Sequence, residues 1–207
     1  MHIPDGLIGM GYPLLVSLLL VIIILVIVIY QSKDTLSEKN IPMIALLTVV
    51  AVLVQLVELP LPVAACVHVS LITFITLYNF RTSIIVYTLV TIIQALFIHE
   101  GGVSTIGLNL LNLAILGPVF SLALYKAFAK INKYLAIGIS AFGTIVLLGV
   151  VVSIEYAIAG VYPIGFGLAT IVPIEALVGV LEAVVTLILM KALKDIKPEL
   201  VPVLADN

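Results

Sequence analysis

The chain has 207 residues, 63% of them hydrophobic and 10% charged, with a mean hydropathy of +1.38. These values lie far outside the range of a soluble domain and mark an integral membrane protein. A formal net charge of -2 with nine Lys and Arg leaves no basic stripe to neutralise phosphates, so the lipid bilayer is the expected surrounding and nucleic acid is excluded as a partner. The single cysteine, Cys66, rules out an internal disulfide.

Met1-His2-Ile3-Pro4-Asp5-Gly6 precedes the first apolar run, and the first basic residue, Lys33, follows it. A signal peptide places its basic residues before the apolar core, so Met1 is expected to be the mature terminus, and the bulky His2 is expected to protect it from removal. A free amine followed at once by an imidazole is a chelate. The Met1 amine, the His2 amide nitrogen once deprotonated and the His2 Nδ1 can close two fused rings around one ion, with three nitrogens nearly in a plane. Such a field suits Ni(II) or Cu(II) better than tetrahedral Zn(II), and low-spin Co(II) is a weaker candidate. Pro4 pre-sets φ and Gly6 tolerates the left-handed conformation. Residues 1–10 are therefore expected to fold back and form the metal site of a single membrane domain covering residues 1–207.

With about 20 apolar residues needed to cross the hydrocarbon core, the sequence predicts an all-α bundle with about seven transmembrane helices, near 11–30, 41–58, 64–80, 82–98, 105–128, 134–159 and 168–193. Only Asn79-Phe80-Arg81-Thr82 separates the third span from the fourth. Lys33, Lys39, Arg81, Lys126, Lys130, Lys133, Lys191, Lys194 and Lys197 then share one side, which the distribution of basic residues makes cytoplasmic. The N-terminus is extracytoplasmic and the C-terminus cytoplasmic on this reading. His2, His68 and His99 all fall on the outer face.

His68 follows Pro60-Leu61-Pro62, which breaks the helical pattern, and its imidazole can supply a fourth nitrogen. Cys66, two residues earlier, offers a soft ligand but reads first as a small packing residue. His99-Glu100 lacks the second histidine of the zinc-protease motif H-E-x-x-H, because Val103 stands there. Asn109 and Asn112 are three apart and share a helical face, where their amides can bond across to other helices or support a metal-bound imidazole. His99, Glu100, Cys66, Asn109 and Asn112 are thus candidates for backing the ligands or lining the entrance. Glu155, Glu175 and Glu182 are intramembrane carboxylates expected to make interhelical hydrogen bonds.

These residues together resemble a known family. MHIPDGLI is similar to the N-terminal signature of the substrate-binding component of nickel and cobalt energy-coupling-factor transporters, the CbiM/NikM family. Pro60 to His68 keeps the spacing of that family's P-x-P-G-G-T-S-G-H, and Gln94 to Asn112 resembles its Q-A-L-L-F-G-D-G-G-L-T-A-L-G-A-N-x-x-N at Gln94, Gly101, Gly102, Gly107, Asn109 and Asn112. Glu182-Ala183 and Lys197-Pro198-Glu199-Leu200 resemble its last helix and tail. The resemblance implies a seven-helix protein that binds Ni(II) or Co(II), as transported substrate, with the Met1 amine, the His2 amide and imidazole, and the His68 imidazole. It also implies partners: a transmembrane coupling subunit, cytoplasmic ATPases and a small accessory membrane subunit. Two departures stand out. Val63-Ala64-Ala65-Cys66-Val67 replaces the family's Gly-Gly-Thr-Ser-Gly, which removes backbone freedom and the hydroxyls that orient the histidine. His99 replaces a small residue, offering an extra contact at the entrance.

The leading expectation is the metal-binding subunit of an importer powered by ATP, with MHIPDG leaning towards nickel where cobalt members more often carry MHIMEG. No G-x-x-x-x-G-K-[ST] loop occurs, so ATP is expected to be hydrolysed on separate subunits and the chain itself is not expected to be an enzyme. The competing readings are a related subunit for an organic solute and an intramembrane metalloenzyme. The latter needs an open coordination position and a general base.

Overall fold

The computed structural model describes residues 2–8, 12–57, 59–60 and 66–204. A chain this apolar satisfies its backbone inside lipid by forming helices, and the described residues build α1 (Tyr12–Thr35), α2 (Ile41–Gln55), α3 (Ile72–Tyr78), α4 (Phe80–Ile93), α5 (Ile106–Leu110), α6 (Gly117–Phe128), α7 (Lys133–Ile158) and α8 (Ile164–Ile196). A π-helical turn, Gln94–Ile98, prolongs α4, and a second, Leu111–Leu116, joins α5 to α6 into one rod. Four of the resulting rods, Phe80–Ile98, Ile106–Phe128, Lys133–Ile158 and Ile164–Ile196, are long and apolar enough to cross a membrane. The protein is a multi-pass membrane helical bundle.

α4 is central. Ser83, Ile84, Ile85, Val86, Tyr87, Thr88, Val90 and Thr91 are all buried and Leu89 alone is exposed among them, so most of the surface of this stretch is enclosed by protein. Its hydroxyls stay satisfied in this setting because Thr88 and Thr91 donate to the carbonyls of Ile84 and Tyr87, each at 2.7 Å. The opposite pattern holds for α8, whose Leu177, Val180, Leu181, Val184 and Ile188 are exposed and form a lipid-facing stripe.

The third predicted span is not a helix over its expected length. Leu59 and Pro60 pair antiparallel with Val67 and Cys66, residues 68–71 are irregular, and helix begins only at Ile72. This irregular backbone is buried in protein, where side chains rather than lipid meet its polar groups, as Glu182 and Tyr87 do at Ser70. Leu71 adopts a left-handed conformation with φ 61 just before α3. The separation of the third and fourth spans falls at Asn79, which is extended and accepts the Thr82 N–H at 2.9 Å, capping α4.

Close helix approach depends on small residues. Gly107, in the first turn of α5, donates its N–H to Ser17 Oγ of α1 at 3.0 Å, filling a position that has no partner within its own helix. A Cβ on Gly107 would run into the Ser17 carbonyl. Gly179 lets α8 approach the Phe142 carbonyl of α7, where an added Cβ would lie at 2.9 Å. Gly107→Ala is therefore expected to destabilise the protein by about 1–3 kcal/mol through overpacking. Thermal unfolding in detergent checks this, with Gly165→Ala, at a site with open space around it, as the control.

Candidate metal centre

Residues 2–8 lie at the end of the bundle where α2 finishes and α5 begins. Ile3 is fully buried and packs with Ile8, Leu108, Val152 and Tyr156. Its backbone is pinned as if it were an edge strand: Asn109 Oδ1 accepts the Ile3 N–H at 2.8 Å while Asn109 Nδ2 donates to the Ile3 carbonyl at 3.1 Å. Thr105 Oγ1 (2.6 Å) and the Gly102 N–H (2.8 Å) donate to the same carbonyl. Two residues on, Asp5 accepts the N–H groups of Val103 and Ser104 and the Ser104 hydroxyl. The Ser104 bonds, hydroxyl first and then backbone, hold the Asp5 carboxyl below its ordinary pKa. Gly101 and Gly102 make this docking possible. Gly101 has φ +81 and an added Cβ there would meet Asn109 Nδ2 at 2.9 Å and His2 Nδ1 at 3.2 Å, while one on Gly102 would collide with the Asp5 backbone at 2.6 Å.

This docking carries His2 inward to His68 and Glu100. One ligand atom from each of the three lies within 4.8 Å of the others. Glu100 Oε1 is 2.8 Å from His68 Nε2 and 3.7 Å from His2 Nε2, and the two imidazole centroids are 5.3 Å apart. The side chains of His2, His68 and Glu100 are 8%, 4% and 14% exposed. Neither nitrogen of His2 nor the Nδ1 of His68 has a hydrogen-bond partner among the described residues, although Gln55 lies beside the His2 ring. Buried donors left in this state are expensive unless something else engages them. Burial first, and then the neighbouring His68, hold the His2 imidazole well below its ordinary pKa, which keeps it in the neutral form that ligates metal.

Glu100 reaches the cluster because of the π-helical turn before it. The turn ends at His99, which is left-handed with φ 62, and the N–H groups of His99 and Glu100 both return to the Gln94 carbonyl. One consequence is that adjacent side chains part company: His99 is exposed and Glu100 points inward. Gln94 Nε2 donates to Glu100 Oε2 at 3.2 Å and to Gln55 Oε1 at 3.0 Å. With Oε2 held in this way, Oε1 is the oxygen turned towards the histidines.

The sequence profile described as the cobalt uptake substrate-specific transmembrane region, CbiM, matches residues 2–200. The chain belongs to the CbiM family. It is 29% identical over 213 residues to a Methanocaldococcus jannaschii protein whose name proposes metal transport, covering 97% of this chain and 94% of that one. Identity is 24% over 185 residues to the fused nickel transport protein of Rhodobacter capsulatus, covering 85% of this chain and 52% of the relative. The crystal structure of a transition metal transporter superposes with a TM-score of 0.84 at 21% identity, over 95% of this chain and 93% of the other. As a CbiM-family member the protein is a substrate-specific component of transition-metal uptake.

Other residues singled out in this CbiM-family sequence take different places. Met1 lies outside the described residues, as does the side chain of Cys66. Asn112 donates to Glu155 Oε2 of α7 at 2.8 Å, and its Oδ1 has no partner among the described residues. Gln94 entered the sequence reading only as a point of resemblance, with no role, whereas Gln55 and Thr105 were missed. Gln55, an amide at the end of an apolar run, carried a signal of the same kind as Asn109 and Asn112.

Two outcomes are expected. Asn109→Ala removes both bonds to the Ile3 backbone and lowers metal affinity by about 10–100-fold, measured by equilibrium competition with a chelator. The His2 ring of the metal-free protein stays neutral below pH 6.5, its ordinary midpoint. The sign follows from linkage: the unfolded chain takes up a proton that the folded one refuses, so this contribution to stability is present above that pH and is lost as pH falls below it. Imidazole nitrogen NMR shifts measure it directly, and charging of His2 at or above pH 6.5 contradicts the buried setting.

Proposed function

We propose that the chain is the metal-binding membrane subunit of an energy-coupling-factor importer driven by ATP, and that it captures Ni(II) or Co(II), with nickel favoured. The observation that carries this reading is the buried convergence of His2, His68 and Glu100 on one point, with imidazole nitrogens left without partners. In this reading the Met1 amine, the His2 amide and imidazole nitrogens and the His68 imidazole bind the ion. The Glu100 carboxylate stands beside them and offsets part of its charge in a setting poor in water. A transmembrane coupling subunit, cytoplasmic ATPases and a small accessory membrane subunit complete the transporter. Planar nitrogen donors favour nickel, and Cu(II), higher in the affinity order, competes in vitro.

Metal analysis of protein purified with Met1 at its terminus is expected to give one nickel or cobalt per chain, and metal-free protein that takes up neither ion overturns the reading. One residue added before Met1 acylates the first nitrogen and abolishes tight binding, while a C-terminal tag does not. His68→Ala is expected to weaken binding far more than His99→Ala, whose side chain faces outward, and equal losses contradict the assignment. Absorption spectroscopy distinguishes the role of Glu100. A diamagnetic planar nickel spectrum supports four nitrogens, whereas a paramagnetic one that Glu100→Gln abolishes makes the carboxylate a direct ligand and opens the site to Co(II).

A further inference from the structure

Glu182 of α8 is fully buried and sits far along the chain from the histidines, yet it acts on the segment that carries His68. Its Oε2 accepts the Ser70 N–H at 2.6 Å, two residues after His68. The carbonyl of the same residue accepts the hydroxyl of Tyr87, a fully buried side chain of α4, at 2.5 Å. Ser70 Oγ in turn accepts the Ile72 N–H at 3.2 Å, closing the turn into α3. Both backbone groups of Ser70 are thus taken by side chains from two other helices, and neither bond belongs to any helical or strand ladder. The next residue, Leu71, is held left-handed, an arrangement that costs about 1 kcal/mol or more for a side chain of this kind and persists only where its surroundings enforce it. The Glu182 carboxylate is also an electrostatic neighbour of the His68 ring, and its Oε1 has no hydrogen-bond partner among the described residues.

We infer that Glu182 and Tyr87 are positioning residues for the metal site, acting through Ser70 to fix where the His68 imidazole stands. This rests on the reading that His68 binds the ion. The need for such a clamp is plain in the sequence: Val63-Ala64-Ala65-Cys66-Val67 carries no glycine and no hydroxyl, so the segment before His68 holds no side-chain hydroxyl to orient it. The restraint comes from behind, through Ser70, and it ties the site to α8. A ligand held by its backbone needs that backbone fixed to within a fraction of an ångström for its nitrogen to meet a bond of about 2 Å.

Three variants of the full-length protein test this: Glu182→Leu, Glu182→Gln and Tyr87→Phe, with Glu175→Gln on the same helix as a control. Each is assayed for Ni(II) affinity by chelator competition and for the visible absorption spectrum of the nickel-loaded protein. Glu182→Leu is expected to weaken binding by about 10–100-fold and to change the spectrum. The amide oxygen of Glu182→Gln can still accept the Ser70 N–H, so this variant recovers most of both. Tyr87→Phe shows an intermediate loss with the same spectral change, and it carries the test alone if Glu182→Leu does not fold. Glu175→Gln leaves the spectrum as it was. Lower affinity with an unaltered spectrum in both Glu182→Leu and Tyr87→Phe overturns the inference, as does wild-type behaviour in both. Failure of the functional reading looks different, because the unmodified protein then binds no nickel or cobalt at all.

Discussion

The Ile3 backbone is held on both its N–H and its carbonyl by one amide, Asn109, with Thr105 and the Gly102 N–H adding to the carbonyl. A terminal segment normally frays, because ordering each residue costs about 1–2 kcal/mol of backbone entropy. Here four hydrogen bonds at a single buried residue, together with the apolar contacts of Ile3 and Ile8, oppose that cost. Without them His2 has no fixed address, and the cluster with His68 and Glu100 does not exist. The glycines at 101 and 102 serve the same end, since they clear the space into which the terminal segment settles.

The three side chains at the centre reach it by three unlike routes. His2 arrives on a docked terminal segment. His68 stands on irregular backbone clamped from below, and Glu100 swings in after a π-helical turn and a left-handed residue. Helical continuity would have placed none of them there. Irregular backbone at such depth is tolerated because it is buried in protein and its polar groups are met, Ser70 by Glu182 and Tyr87, and the Gln94 carbonyl by His99 and Glu100.

Much of this was legible in the sequence, for physical reasons. Long apolar runs with few charges admit almost no alternative to membrane helices, and the terminal MHIPDG with His68 announced nitrogen donors. Asn109 and Asn112 were recognised as polar groups on one face, but their separate duties, one to Ile3 and the other to Glu155, depend on what each faces across the bundle. The third span, read as helix from residue 64, begins as helix only at Ile72, because hydropathy registers that a segment is apolar and not that side chains of other helices take the backbone groups of Ser70. The division between His99 and Glu100 was equally hidden. A backbone angle at His99 decides it, and no composition or period encodes that angle.

The two π-helical turns, Gln94–Ile98 and Leu111–Leu116, change the phase of the helices that contain them. Each holds one residue more than an α-helical turn, and at 3.6 residues per turn that advances everything beyond it by about 100°. In the second rod this lets its outer half present Gly107 to Ser17 and Asn109 to Ile3, while the inner half presents Ser121 to Ser140 of α7 and Thr73 of α3. One rod thus serves two sets of neighbours with separate registers. The outer half can follow the geometry of the His2, His68 and Glu100 cluster while the inner half keeps its own packing, so changes at one end of the rod need not propagate as rotation to the other.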